Sequence, residues 1–270
     1  MGRIEDALEK ADKRIRQPSP DVVAPPVGGV SSARMLDLDP DRISNDKLVA
    51  IKNPASPEAE EFRKLKKALM KEALGPDGFG NVIMITSATP REGKSLVTLN
   101  LAASLAQEYD HTVLVVDADL RKPTCHLPFG IVQSPGLSDY ILDGMALDKV
   151  LVRTGIGKLV LLPAGRPATN LCEMYSSNTM RGIIQEMKHR YPDRIILIDT
   201  PPILTFAETR ILADQADAVI LVVRERQCSK NSIQECINLI NDKLLGIVYN
   251  GAETKDSNDF YYYYYLDEKQ

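Results

Sequence analysis

One segment of the chain has the residue types and the spacing of a phosphate-binding loop. Residues 88–95 (ATPREGKS) fit the pattern G-x-x-x-x-G-K-S, with Ala88 in place of the first glycine. In such a loop the backbone N–H groups and the N-terminus of the following helix point at phosphate oxygens. Lys94 adds a positive charge on the β- and γ-phosphates, and the Ser95 hydroxyl can bind Mg²⁺. The segment therefore predicts a nucleotide site, in preference to an ordinary turn between a strand and a helix.

Three aspartates stand at the ends of apolar, strand-like runs. Asp117 and Asp119 end the run VLVVDAD, and Asp199 ends IILID. A buried strand that ends in aspartate is a usual way to hold Mg²⁺, directly or through water, beside a phosphate-binding loop. One such aspartate could simply cap a turn, but three of them favour a magnesium site. Arg121 lies two residues further on, where it would offset the carboxylates or contact phosphate.

The elements that must position these residues alternate along the chain. Strands are predicted at 82–86, 113–117, 159–163, 195–199, 218–223 and 245–250, and helices at 94–108, 177–190, 207–215 and 230–241. Most strand-like runs are continuously apolar, which is typical of strands buried on both faces of a parallel sheet. The predicted fold class is therefore α/β, with an open, mostly parallel sheet of the P-loop NTPase type and helices on both faces. Ligands of such sheets bind at the carboxyl ends of the strands.

The two ends of the chain differ in composition from this central region. The predicted divisions are an N-terminal helix at 1–16, a flexible linker rich in proline and glycine at 17–45, a P-loop domain at 46–251 and a tail at 252–270. The N-terminal helix is either a docking element or a frayed terminus. The tail contains five consecutive tyrosines, which are Tyr261, Tyr262, Tyr263, Tyr264 and Tyr265.

Composition excludes several classes of function. The 270 residues carry a net charge of −4, which argues against a broad basic field for nucleic acid. The four cysteines have no CxxC spacing, so we expect no zinc site but reduced thiols in a cytoplasmic protein. No run approaches the roughly 18 apolar residues of a membrane span, and the charged N-terminus is unlike a secretory signal.

In these motifs the chain resembles the bacterial tyrosine kinases (BY-kinases), which act with chain-length-determinant proteins in exopolysaccharide and capsule synthesis. The matching motifs are ATPREGKS, VLVVDADLRKP, IILIDTPP, LLPAG at 161–165 and the tyrosine-rich tail. The family's loop usually has glycine where this chain has Arg91. The start MGRIEDALEKA and the linker are similar to the subgroup encoded as a separate cytoplasmic chain in exosortase loci.

The alternative is a P-loop ATPase switch without kinase activity. The partitioning and septum-placement ATPases are of this type, and they share the fold and the motif VLVVDADLRKP. That family has a signature lysine just after the first loop position, where this chain has Thr89. Pro90 and Arg91 replace the two glycines that follow. The missing lysine favours the kinase.

The resemblance implies an ATP- and Mg²⁺-dependent protein-tyrosine autokinase whose phosphoacceptors are Tyr261 to Tyr265, offered in trans. The implied nucleotide contacts are Thr89, Pro90, Arg91, Glu92, Gly93, Lys94, Ser95, Leu96, Arg121 and Asn250. Asn250 either reads the adenine, as the corresponding asparagine does in related folds, or is a turn residue.

The roles expected in catalysis and metal binding fall on five residues. Lys94 holds the phosphates, while Ser95 and Asp199 bind magnesium. Asp117, also a candidate metal ligand, orients or deprotonates the attacking hydroxyl. Asp119 is the second carboxylate, and the roles of these two aspartates are interchangeable.

A helix predicted from Ser56 to residue 71 carries a further implied contact. BY-kinases have an E-x-x-R-x-x-R motif that builds a ring of subunits, and here Glu60, Arg63 and Lys66 match it, with lysine in the last place. Lysine makes no bidentate fork. The residues alone predict only an exposed helix with local pairs such as Glu60 with Lys64. The implied partners are a ring-like homo-oligomer when unphosphorylated and a membrane chain-length-determinant protein, which activates the kinase and recruits it to the inner face of the membrane.

Overall fold

The structure is a computed structural model and describes residues 34–35, 48–75, 78–190 and 193–252. The helix predicted at 1–16 and the tail beyond residue 252 lie outside these residues. Most of the linker predicted at 17–45 also lies outside them. Arg34–Met35, inside that predicted linker, differ from the expectation because they form a short strand paired with the sheet.

Within the described residues the strands form one eight-stranded sheet. The strands are β1 (Arg34–Met35), β2 (Val82–Ser87), β3 (Thr112–Asp117), β4 (Val152–Arg153), β5 (Leu159–Leu162), β6 (Arg194–Asp199), β7 (Ala218–Arg224) and β8 (Leu244–Asn250). Their order across the sheet is β1-β4-β5-β3-β6-β2-β7-β8. Neighbouring strands are parallel except for the antiparallel pair β4 and β5. The predicted α/β fold class is confirmed, and each predicted strand agrees with the structure to within one residue at either end.

Helices connect the strands and cover the sheet. They are α1 (Val49–Lys52), α2 (Pro57–Leu74), α3 (Lys94–Leu105), α4 (Leu137–Asp143), α5 (Leu147–Val150), α6 (Leu171–Ser176), α7 (Asn178–Arg190), α8 (Ala207–Gln215) and α9 (Lys230–Ile240). The helices predicted between the strands are present, and the short α1, α4, α5 and α6 were not predicted. In the described part of the chain, no helix combines the length and the apolar character that crossing a membrane requires.

The core lies on both faces of the sheet, because alternate residues of each buried strand point to opposite sides. Ile83 and Ile85 of β2 belong to a core cluster with residues of α2 and α3. On the other face, α7 packs on β6 and buries Met180 and Met187. The sheet is therefore covered on both sides, as the continuous apolar runs predict.

Helix α3 is buried around almost its whole circumference, from Val97 to Leu105. A helix that is buried all round belongs inside a core, and here the polar side chains of Thr98 and Asn100 bond to main-chain carbonyls one turn earlier. Its N-terminus follows β2 directly through the predicted phosphate loop, so Lys94 and Ser95 are fixed at the carboxyl edge of the sheet.

Leu197 tests the importance of this core, since it is fully buried in the central strand β6. We expect Leu197→Ala to lower the free energy of unfolding by about 3 kcal/mol, because it removes buried methyl groups and leaves a cavity. Urea unfolding followed by circular dichroism measures the change. The control Val132→Ala, at a residue that is 94% exposed, should lower the free energy of unfolding by less than about 0.5 kcal/mol. Equal losses in the two variants would contradict this account.

Candidate functional site

The strand order brings the predicted site residues together at one edge of the sheet. Strand β6 lies between β3 and β2, so the carboxyl ends of these strands are neighbours. Asp117 ends β3, Asp199 ends β6, and the register pairs these two residues directly. The phosphate loop follows β2 at the same edge. The predicted convergence of the loop and the strand-end aspartates is therefore what the structure shows.

Glu92 holds the phosphate loop together from inside. Its side chain is completely buried, and Oε1 accepts hydrogen bonds from Thr89 N at 2.5 Å and from Thr89 Oγ1 at 2.7 Å. Oε2 accepts a hydrogen bond from Arg224 N, at the end of β7, at 3.2 Å. A carboxylate on the outer surface of this loop would repel phosphate, whereas here it faces inward. The nucleotide contact of Glu92 stays a prediction, while its carboxylate is already bonded to the main chain of the loop and of β7.

The backbone of the loop uses left-handed conformations at two positions. Gly93 has φ of 96°, and a Cβ atom built on it would lie 2.1 Å from Asn250 Nδ2. Arg91 has φ of 68°, a backbone conformation that residues other than glycine rarely adopt. Glycine, which the resemblance leads one to expect at this position, would adopt the same conformation without strain.

Asn250 braces the same loop. Its Nδ2 donates a hydrogen bond to the carbonyl oxygen of Glu92 at 2.8 Å, which ties the end of β8 to the loop. This contact gives Asn250 a structural role that the sequence did not indicate. Recognition of adenine by this residue stays a prediction.

Asp199 lies at the centre of a network of side-chain donors. Ser95 Oγ donates to its Oδ2 at 2.5 Å, and Thr98 Oγ1 donates to its Oδ1 at 3.2 Å. The thiol of Cys125 also contacts Oδ2, at 3.4 Å. Thr98 and Cys125 were not predicted. Thr98 lies one helical turn after Lys94, and this spacing was the available signal for it.

Asp117 is held by main-chain donors instead. Its Oδ2 accepts hydrogen bonds from Thr124 N at 3.1 Å and Cys125 N at 3.0 Å, and its Oδ1 accepts one from Asp119 N at 3.3 Å. Asp117 is completely buried. Its carboxylate thus fixes the loop after β3 and lies behind Asp119.

Burial shifts the protonation of these carboxyls. Burial, followed by the negative charge of Asp199, raises the pKa of Asp117 well above its usual range. Burial raises the pKa of Asp199 to about 6, although the hydrogen bond from Ser95 and the charge of Lys94 act in the opposite direction. Burial also raises the pKa of Asp119, which the N–H of Lys122 and the charge of Lys94 partly offset.

The donor set fits a magnesium ion. Ser95 Oγ and Asp199 Oδ2 are hard oxygen ligands that lie 2.5 Å apart, and Thr124 Oγ1 is 3.0 Å from Ser95 Oγ. The ligand atoms of Asp117, Cys125 and Asp199 all lie within 4.8 Å of one another. A cation beside two buried carboxylates would relieve their repulsion. The predicted metal ligands Ser95, Asp117 and Asp199 are therefore near neighbours.

A cavity of about 870 Å³ opens beside the loop and the strand ends. The predicted site residues that line it are Pro90, Arg91, Gly93, Lys94, Ser95, Leu96, Asp119, Arg121 and Asn250. The predicted site residues Thr89, Glu92, Asp117 and Asp199 are not among its lining residues. Asp119 is the aspartate exposed to this space, whereas Asp117 is buried behind it.

Arg121 is fixed at the wall of the cavity by two contacts that the sequence did not reveal. Its Nε donates to Glu208 Oε1 at 2.5 Å, and its guanidinium lies over the ring of Phe206, 4.4 Å from the centroid. Glu208 is buried at the start of α8. Residues from the loops after β3 and β6 thus form one rigid wall.

The residues predicted to contact a second subunit lie away from this wall, on α2. Arg63 Nε donates to Glu60 Oε2 at 2.5 Å, and Lys66 Nζ donates to Glu108 Oε1 at 2.5 Å. These contacts are within the chain, so the oligomer contact of Glu60, Arg63 and Lys66 stays a prediction. The phosphoacceptors Tyr261 to Tyr265 lie outside the described residues.

The raised pKa of Asp199 predicts a pH-dependent stability. The carboxyl of Asp199 keeps its proton up to about pH 6 in the folded protein but ionises near pH 4 in the unfolded protein. Its contribution to the free energy of unfolding is therefore complete below about pH 4 and is lost as the pH rises through 6. Without nucleotide or Mg²⁺, we expect Asp199→Asn to exceed the wild type by up to about 3 kcal/mol in free energy of unfolding at pH 7.5 and to match it at pH 4.

Urea unfolding at the two pH values measures this difference. The matched control is Asp110→Asn, at an exposed aspartate, which should leave the pH dependence unchanged. The same pH slope in the wild type and in Asp199→Asn would show that the assignment is wrong.

Comparison with known proteins agrees with this geometry. Residues 80–245 match the family model of the AAA domain. The tyrosine-protein kinase YwqD of Bacillus subtilis is 32% identical over 219 residues, which cover 80% of this chain and 90% of YwqD. An identity of this size over most of both chains places them in one family.

Solved structures show the same relation. The kinase domain of the Escherichia coli tyrosine kinase ETK superimposes with a TM-score of 0.71 and 28% identity, over 79% of this chain and 83% of that domain. The chimerical protein CapA2B2 gives a TM-score of 0.71 and 30% identity, over 78% of this chain and 92% of the chimera. On the sequence relation to YwqD and on these structural neighbours, the chain belongs to the bacterial tyrosine-protein kinase family.

Proposed function

We propose that the chain is an autokinase that transfers the γ-phosphoryl group of ATP to the tyrosines of its C-terminal tail, in trans between subunits. The observation that carries the proposal is a single cavity that joins the phosphate loop, the lysine Lys94 and the carboxylate of Asp119. Phosphoryl transfer depends on positioning and charge neutralisation more than on covalent help from the protein. A site of this kind supplies both.

In this proposal the phosphate loop binds the phosphates of the nucleotide, and Ser95 and the strand-end aspartates bind the metal ion. The loop amides and Lys94 bind the phosphates, as the helix N-terminus and the positive charge favour. Ser95 and Asp199, with Asp117 close by, would hold Mg²⁺. When bound, this ion neutralises charge on the phosphate oxygens. Arg121, which is paired with Glu208, lies on the wall of the same cavity, where its remaining N–H groups could contact phosphate.

Asp119 is the residue that orients the acceptor hydroxyl in this proposal. A tyrosine with a pKa of about 10 is mostly protonated at neutral pH, so a carboxylate is needed to accept its proton or hydrogen bond. Asp119 lines the cavity, whereas Asp117 is buried and bonded to main-chain N–H groups. Of the two interchangeable roles, Asp119 takes the one at the acceptor.

The tail is long enough for transfer to a neighbouring subunit. Asn250 lines the cavity, and Tyr263 lies 13 residues further along the chain, a span of up to about 43 Å when extended. A domain of about 200 residues has a diameter near 40 Å, from a radius of gyration of about 16 Å. The tyrosines of one subunit can therefore reach the cavity of the next.

The proposal includes two partners. Unphosphorylated chains form a ring through α2, with Glu60, Arg63 and Lys66 at the contact. A membrane chain-length-determinant protein activates the cytoplasmic kinase at the inner face of the membrane, and phosphorylation thereby regulates exopolysaccharide length or export. The resemblance in the motifs and the tail supports this part.

Incubation with ATP and Mg²⁺ followed by intact-mass measurement tests the transfer. We expect several additions of one phosphate each, mapped by peptide sequencing to Tyr261–Tyr265. Lys94→Met should abolish them because it removes the charge on the phosphates. Replacement of all five tyrosines by phenylalanine should leave ATP binding intact and remove most of the phosphate. Release of ADP without any gain of mass would instead support an ATPase switch, and the kinase proposal would fail.

Light scattering before and after phosphorylation tests the oligomer. Each phosphotyrosine adds about −1.5 to −2 charges, so five add roughly −7 to −10 to a tail that already carries Asp256, Asp259, Asp267 and Glu268. Repulsion of this size should convert an oligomer into monomers. The five-phenylalanine variant is the control and should stay oligomeric in ATP. Equal masses of the wild type in both states would refute this switch.

A further inference from the structure

The loop after β6 places an aromatic ring in the wall of the cavity. Phe206 occupies the N-cap position of α8, with extended φ and ψ of −127° and 126°. Its N–H donates to Pro202 O at 3.3 Å, and its carbonyl accepts from Thr209 N at 3.2 Å. The main chain of Phe206 is therefore held on both sides, and this fixes where the half-buried ring lies.

Phenylalanine is a poor choice for this position on local grounds alone. The N-cap position favours Ser, Thr, Asp or Asn, whose side chains accept a hydrogen bond from an N–H of the first turn. Replacing such a residue by one that cannot cap typically lowers the stability of the protein by about 1 kcal/mol. No side chain caps α8 at this residue. Helix capping therefore does not explain the phenylalanine at this position.

We propose that Phe206, backed by Arg121, forms the acceptor subsite, where the ring of a tyrosine from Tyr261–Tyr265 of another subunit packs. This inference rests on the proposed kinase function and names the part of the cavity that selects the acceptor. Phe206 is a specificity residue that contacts substrate, and Asp119 remains the group at the hydroxyl.

The contact of Arg121 with one face of Phe206 holds the Phe206 ring in place, where a second aromatic ring can pack on it. The guanidinium covers one face of the Phe206 ring and is itself held by the buried Glu208. Pro202 and Phe206 both line the cavity beside Arg121, so the subsite is apolar with a fixed cation. Aromatic rings pair favourably in offset or edge-to-face geometry. A serine side chain carries no ring for this contact.

The size and charge of the cavity fit a nucleotide together with an acidic, aromatic segment. Its volume of about 870 Å³ lies in the upper part of the usual range for small-molecule sites, about 300–1,000 Å³. Among its lining residues, which all belong to the described part of the chain, the basic ones are Arg91, Lys94, Arg121, Lys122 and Arg224, and Asp119 is the acidic one. The tyrosine run is flanked by Asp259 and Asp267. Opposite charges therefore favour this segment as the occupant.

A trans-phosphorylation assay with two full-length chains separates the acceptor from the enzyme. The enzyme chain carries phenylalanine at Tyr261–Tyr265 and cannot accept there, and the acceptor chain carries Lys94→Met and cannot transfer. Initial rates at saturating ATP, measured against acceptor concentration, give KM and kcat. Calorimetry gives the dissociation constant of ATP for each enzyme chain.

In the enzyme chain we expect Phe206→Ala and Phe206→Leu to raise the KM for the acceptor by about 2- to 12-fold, because both variants remove an aromatic pair worth roughly 0.5–1.5 kcal/mol beyond the area it buries. The ATP dissociation constant should stay within about twofold, and Phe206→Tyr should keep the original KM, since a ring is retained. The control Ile247→Ala, at a residue that is 47% exposed on β8, should change neither constant.

The outcomes separate the two proposals. No transfer by the enzyme chain that retains Phe206 would refute the kinase function itself. Transfer with an unchanged KM in both Phe206→Ala and Phe206→Leu would refute the subsite. Weaker ATP binding at an unchanged acceptor KM would place Phe206 in the nucleotide site and overturn the assignment. Thermal melting identifies a misfolded Phe206→Ala variant, and in that case Phe206→Leu decides.

Discussion

The pairing of β3 with β6 forces two buried carboxylates to lie side by side. Asp117 and Asp199 are register partners at the last position of these strands, so the main-chain ladder that stabilises the sheet also holds two like charges together. The protein distributes the donors between them. Main-chain N–H groups bind Asp117, and the hydroxyls of Ser95 and Thr98 bind Asp199. The remaining repulsion and desolvation are what a cation at this edge would relieve.

The phosphate loop depends on the same edge from its other side. Glu92 lies beneath the loop and joins Thr89 to the end of β7, and Asn250 joins the loop to the end of β8. A buried carboxylate is stable only when hydrogen bonds satisfy it, and these bonds fix the loop before any nucleotide arrives. One site is therefore formed by residues at the ends of five strands, which are β2, β3, β6, β7 and β8.

Much of this could be predicted because it follows from the hydrophobic pattern. The continuous apolar runs of the six longer strands and the 3.6-residue periodicity of the longer helices predicted the fold, and the parallel sheet then required the strand ends to meet. The short helices were missed because tertiary contacts stabilise them. In α4, for example, Asp139 accepts an N–H from Gly136 at 2.8 Å and one from the distant Arg166 at 3.3 Å. The sequence also could not show side-chain direction: nothing in it indicated that the Glu92 carboxylate bonds to Thr89 inside the loop, or that Arg121 lies over Phe206.

Asn250 connects two parts of the molecule that the sequence separates. It ends β8 and bonds to the loop carbonyl of Glu92, and the chain continues through Gly251, with φ of 71°, toward the tyrosines. The segment that carries the tyrosines is thus anchored on the residue that supports the phosphate loop. The same amide side chain therefore fixes both the phosphate loop and the point from which the tail begins.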